Sequence, residues 1–210
     1  MKNKISILSL LAAGILMTTS CKKDDVSSPL VIITGNDMTV SLQGTFTDPG
    51  ATANDDKDGA ITPVVSGAVN LNLKGDYILT YSATDAAGNT GTATRKVTVV
   101  NDADYLNGTY NVTGAPGPYT YKQTITASTT LNRRFTFGKL GDYANNNAIY
   151  ADVVGNNITL PSQTATQVGS PAADRQFSGT GLTNANGLTL TYSETTNNIT
   201  STYTEIMVRQ

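Results

Sequence analysis

The side chains best able to do chemistry in this 210-residue chain are carboxylates and tyrosines, because histidine and tryptophan are absent and cysteine occurs once. Without an imidazole, the commonest general base and the Ser-His and Cys-His nucleophile pairs are excluded. There is likewise no Cys/His set for zinc and no glycine-rich phosphate loop. What remains for hydrolysis is a pair of carboxylates, which glycosidic cleavage needs about 5–10 Å apart. After residue 104 the candidates are Asp142, Asp152, Asp174, Glu194 and Glu205, and nothing in their spacing brings two of them together. We therefore assign no catalytic residue and no cofactor, and rank a polysaccharide-acting enzyme below a non-catalytic protein.

Two other clusters merit a test. Asn54-Asp55-Asp56-Lys57-Asp58-Gly59 places ligand-type residues and a glycine as an EF-hand loop does, but its twelfth position is Val65 instead of a bidentate Glu. A looser all-oxygen calcium site would draw on Asp48, Asp55, Asp56, Asp58 or Asp85, the same Asp-Gly and Asp-Pro-Gly pairs that make turns. No metal ligand is assigned. Eight of the ten tyrosines follow residue 104. Tyr119 and Tyr121 share one strand face, as a carbohydrate platform would, although such pairs more often serve as core or cross-strand partners.

The elements that must carry these residues begin with the N-terminus. Lys2 and Lys4 precede an apolar run from Ile5 to Met17, and Thr18-Thr19-Ser20 follow, which is the profile of a signal peptide over residues 1–20. As a helix the run would cover about 20 Å against a hydrocarbon core of about 30 Å, too short for a permanent span. Cys21 follows directly. This junction resembles the lipobox of bacterial lipoproteins, with Thr18 where that family generally has Leu. The resemblance implies lipid attachment at Cys21, a membrane partner through that anchor, and no disulfide in the chain. Lys23-Asp24-Asp25 resembles the surface-export signal of Bacteroidota lipoproteins, implying an outer-membrane, lipid-anchored protein exposed at the cell surface. Losing Lys2 and Lys4 leaves a net charge of about −4, which repels a phosphate backbone, so nucleic acid is excluded as a partner.

Residues 21–29, charged and small, read as a lipidated flexible tether ending at Pro29. Strand-like runs then recur at 30–34, 38–42, 61–66, 77–84 and 91–100, the fourth with clear period-two alternation. Thr45–Ala53 (TFTDPGATA), Asp55–Pro63 (DDKDGAITP) and Gly75–Val99 resemble a bacterial immunoglobulin-like domain family named from an insecticidal crystal toxin. The resemblance covers roughly residues 30–100 and implies an Ig-like β-sandwich with nothing catalytic. Tyr77, Tyr81, Phe46 and the aliphatics would form its core, since the cysteine pair and Trp of antibody domains are missing.

After the junction 101–104, residues 103–210 read as a second all-β domain with eight runs, at 108–113, 119–126, 133–137, 149–153, 157–160, 176–179, 188–192 and 202–208. Gly155-Asn156 and Asn184-Ala185-Asn186-Gly187 read as hairpin turns, and Asn145-Asn146-Asn147 as punctuation between runs. An antiparallel meander closing into a small up-and-down barrel is favoured over a sandwich. The opening Gly108-Thr109-Tyr110 is similar to the start of lipocalin-like barrels. The fold class is thus all-β. The expected role is non-catalytic: an Ig-like spacer presenting the C-terminal domain for binding a glycan or an envelope protein, or else a purely structural or adhesive surface component.

Overall fold

The computed structural model describes residues 24–168 and 173–210, so Cys21, the leader and the first tether residues lie outside it. The first domain is a two-sheet sandwich. One sheet holds β1 (Leu30–Ile33), β3 (Ala51–Asp55) and β4 (Gly59–Ile61); the other holds β2 (Met38–Ser41), β7 (Thr90–Val100), β6 (Gly75–Thr84) and β5 (Val64–Ser66), in those orders. β3 is absent from the sequence-predicted strands, its alternation hidden by short Ala, Thr and Asn side chains. The run predicted at 61–66 is two strands, because Pro63 has no N–H to continue a ladder.

The sandwich core is Val31, Leu79, Tyr81, Ala83 and Val97, with Phe46 packed at its side. Tyr77 is only half-buried, its hydroxyl donating to the Leu73 carbonyl. Arg95 is fully buried instead. Its guanidinium donates to the carbonyls of Asn36 (2.6 Å), Thr34 (2.8 Å) and Gly50 (3.1 Å) and lies 3.4 Å from Asp48. Tyr81 closes the set by donating to Asp48 at 2.6 Å. Buried charge is tolerated here because every group has a partner.

The second domain is a closed barrel of eight antiparallel strands, each paired with its sequence neighbour and the last with the first. They are β8 (Gly108–Ala115), β9 (Tyr119–Ala127), β10 (Arg134–Leu140), β11 (Tyr143–Val154), β12 (Asn157–Thr166), β13 (Asp174–Asn184), β14 (Gly187–Thr196) and β15 (Ile199–Arg209). The up-and-down barrel is therefore the outcome, and the sandwich is not. Gly155-Asn156 and Ala185-Asn186 do turn hairpins. Asn145–Asn147, expected to punctuate, lie inside β11, where Asn145 bridges to Gln167.

Eight strands enclose a space that side chains can fill. Over most of its height the barrel is packed with Tyr110, Ile125, Phe135, Phe137, Leu190 and Met207, all at most 1% exposed. One end is stoppered by a 3-10 helix, Asp104–Leu106, whose Leu106 is buried and whose Leu106 carbonyl accepts the Tyr110 hydroxyl at 2.8 Å. The sandwich docks on that same end. Lys74 N–H donates to the Thr129 carbonyl (2.8 Å), Asn132 N–H to Gln43 Oε1 (3.1 Å) and Ser41 Oγ to Asp102 (2.6 Å). The β8–β9, β10–β11 and β14–β15 connections lie at the opposite end, which faces away from the first domain.

Candidate functional site

At that far end the inward rows of the strands change from apolar to polar. Along β15 the row Met207, Glu205, Tyr203 climbs towards the mouth. On β14 it is Leu190, Tyr192, Glu194, on β13 Phe177 then Arg175, and on β9 Tyr121 then Tyr119. Period-two geometry puts all of these on the barrel interior.

Glu205 is the centre of the cluster and is fully buried. Its Oε2 accepts Tyr121 OH at 2.8 Å; its Oε1 accepts Gly141 N–H at 2.9 Å, Tyr119 OH at 3.1 Å and Tyr192 OH at 3.2 Å. Burial pushes the Glu205 pKa above its ordinary value, against the opposing pull of these four donors. The same burial, and then the Glu205 charge, raises the phenol pKa values of Tyr119, Tyr121 and Tyr192, so all three remain protonated donors.

Gly141 reaches Glu205 from the two-residue β10–β11 turn, where Gly141 (φ +68°) and Asp142 (φ +62°) are both left-handed, as a type I′ hairpin requires. A methyl group there would meet Arg175 Nη2 at 3.1 Å and Tyr192 OH at 3.2 Å. Gly114 on β8 is the second glycine the cluster needs. A Cβ there would collide with the Tyr119 ring, which crosses that strand.

Above this floor Arg175 and Glu194 form a two-point ion pair, Nε to Oε1 at 2.7 Å and Nη2 to Oε2. The Arg175 guanidinium is also held between the rings of Tyr143 (4.6 Å) and Phe177 (4.9 Å). Tyr203 stacks on Tyr192 at 5.5 Å and 26°. The result is a cup of about 320 Å³ lined by Pro116, Tyr119, Gly141, Asp142, Tyr143, Arg175, Glu194 and Tyr203. A groove of about 370 Å³ on the outer wall, around Thr180, Gly181 and Thr189, is lined by no ionisable group. The cup is thus the better candidate, joining aromatic faces to placed polar groups.

The carboxylates considered from sequence divide clearly. Asp152 is paired with Arg134 at 2.8 and 2.9 Å on the outer wall, and Asp174 accepts Thr166 Oγ1 at 2.6 Å. Asp142, Glu194 and Glu205 are brought to one end of the barrel, which their spacing does not reveal. Tyr119 and Tyr121 do share a face, with ring centroids 6.2 Å apart, but both hydroxyls are committed to Glu205. Sequence reasoning missed Arg175, Tyr143, Tyr192 and Tyr203. The available signal was a charged residue in phase with core positions, as in Arg175/Phe177 and Glu205/Met207.

Residues 31–99 match the family model for the Ig-like domain of bacterial surface proteins. None of the curated proteins matches the chain. Among solved structures the chain is similar to the lipoprotein BT2262 from Bacteroides thetaiotaomicron, with a TM-score of 0.34 and 21% identity over 87% of this chain and all of that one. It is also similar to the CBM51-2 and INT domains of Clostridium perfringens ZmpB, solved with GlcNAc, with a TM-score of 0.30 and 12% identity over 87% of this chain; that match spans 44% of the ZmpB structure.

Proposed function

We propose that the protein is a non-catalytic lipoprotein of the bacterial cell surface, anchored through Cys21, in which the Ig-like domain (30–100) is a spacer and the barrel (103–210) binds a glycan in its distal cup. The observation that carries this reading is the composition of the cup. Tyr119, Tyr143 and Tyr203 line it with aromatic surface suited to the C–H faces of a sugar, and the Glu194 carboxylate, held in place by the buried Arg175, is the polar group beside them. A volume of about 320 Å³ suits one end of a chain or a single small ligand. Hydrolysis has less support, because Glu194 is engaged by Arg175 and Glu205 is sealed behind three tyrosines.

The test is a glycan-array screen followed by calorimetric titration of each hit against the wild type and Tyr143→Ala. Tyr143 is 50% exposed, so its truncation leaves the core intact while removing one wall of the cup. We expect a loss of affinity of about tenfold or more, the scale of one well-placed aromatic contact. Binding that is unchanged in both Tyr143→Ala and Tyr203→Ala places the ligand elsewhere and refutes the assignment. Capture of an envelope protein, abolished by the same substitutions, keeps the cup but replaces the ligand class.

A further inference from the structure

The hairpin end of the Ig-like domain nearest the N-terminus gathers three carboxylates from two stretches of chain. Asp25 precedes β1, Asp55 ends β3 and Asp56 begins the turn to β4; one oxygen from each lies within 4.8 Å of the others. Asp55 is 3% exposed. Its Oδ1 accepts the N–H groups of Lys57 (2.9 Å) and Asp58 (3.0 Å), which fix the turn. Its Oδ2 is buried and accepts no hydrogen bond. A carboxylate oxygen shut from water without a donor is costly unless something else satisfies it.

The neighbouring acids are committed elsewhere. Asp58 Oδ2 accepts Ala86 N–H at 2.6 Å, Asp85 is held by the backbone and side chain of Asn89, both at 2.8 Å, and Asp48 belongs to the Arg95 set. Of the five acids raised by the sequence, Asp55 and Asp56 thus remain to face a ligand, and Asp25 joins them. Lys57 Nζ stands 3.3 Å from Asp25 and offsets part of the charge there.

We propose that Asp25, Asp55 and Asp56 bind one calcium ion, with water completing its shell. The donor set is entirely hard oxygen, which suits calcium over transition metals, and calcium takes six to eight such ligands in adaptable geometry. Asn89 Nδ2 already holds the Asp25 carbonyl at 3.1 Å, so the segment before β1 reaches the site without rearrangement. The ion fastens that segment to the β3–β4 hairpin and leaves four residue steps between the clamp and Cys21.

Calcium titration of the full chain after chelator treatment tests this by calorimetry and thermal melting. We expect one ion per chain, a Kd of about 10⁻⁴–10⁻³ M as for extracellular modules, and a rise in Tm of about 5 °C at saturation. Asp56→Asn, at an exposed position, should weaken binding about tenfold with the calcium-free Tm unchanged. Asp55→Asn keeps the Oδ1 acceptor and should lose the calcium response; if it fails to fold, Asp56→Asn still decides. No heat and no Tm shift at about 10 mM calcium, or full binding by Asp56→Asn, overturns the proposal.

Discussion

Glu205 shows how one residue sets the character of the barrel mouth. A carboxylate with four donors is satisfied, yet removing it strands three phenols and the Gly141 N–H in a dry interior. Glu205→Ala should therefore cost about 3 kcal/mol or more in urea unfolding, the scale of breaking a buried charged network. Glu205→Gln keeps the Oε1 acceptor, and the Tyr121 hydroxyl can turn to accept from the new amide. The pH dependence has a definite sign. Because the folded pKa is raised, the folded state keeps a proton that the unfolded state has already lost. Stability thus falls as pH climbs from the unfolded carboxylate value, about 4.3, through the folded one, and the full cost is present above that. Glu205→Gln lacks this cost, so its stability relative to wild type should improve between about pH 4 and pH 8. Equal differences at both pH values would show that Glu205 does not titrate abnormally.

At the scale of elements, the barrel is held at its irregularities by side chains that imitate backbone. Where the β9–β10 ladder ends at Phe137 and the β10–β11 register shifts just after it, Gln123 bonds both the N–H and the carbonyl of Lys139. Gln163 does the same for Tyr150 on β11, at 2.9 and 2.7 Å, where the β12 register slips after Leu160. The joint between domains uses the same device. Asn101, 2% exposed, points Nδ2 at the carbonyls of Ser128, Leu131 and Arg134, and its Oδ1 accepts the N–H groups of Ala103 and Arg133. Two amide hydrogens shared among three carbonyls fix the β9–β10 loop against the linker. Asn101→Ala leaves several of these groups without partners, and we expect a loss of about 2–4 kcal/mol in barrel stability by chemical denaturation. A loss under about 0.5 kcal/mol would mean that water replaces the side chain at this joint.

At the scale of the molecule, the sandwich seals one end of the barrel and the cup opens at the other. An anchor upstream of the sandwich would therefore present the cup outward. The segment read as a free tether already touches the sandwich at Asp25, which pairs with Lys57, and at the buried Pro29. Any free tether is thus shorter than residues 21–29, and the sandwich would ride close to the membrane. With the lipid on Cys21 as the proposed anchor, Cys21→Ser should move the protein from the membrane fraction to the soluble fraction. Retention of Cys21→Ser in the membrane fraction, read by fractionation and immunoblot, would refute anchoring at that residue.

The sequence by itself determined the all-β class, the two-domain order and the eight barrel strands. Those follow from period-two alternation and Gly/Asn turns, which are local. It also excluded the chemistries that need histidine or paired cysteines. The cup was not legible, because Tyr119, Gly141, Arg175, Glu194 and Tyr203 come from five separate stretches. Only barrel closure, with β15 pairing β8, brings Glu205 against Tyr119 and Tyr121 across more than eighty residues. The same holds for Arg95, which alternation in β7 places on the inner face but whose carbonyl partners lie in loops 45 or more residues away. Local pattern fixes which way a side chain points, whereas its partners depend on which distant strands and loops the closed fold sets beside it.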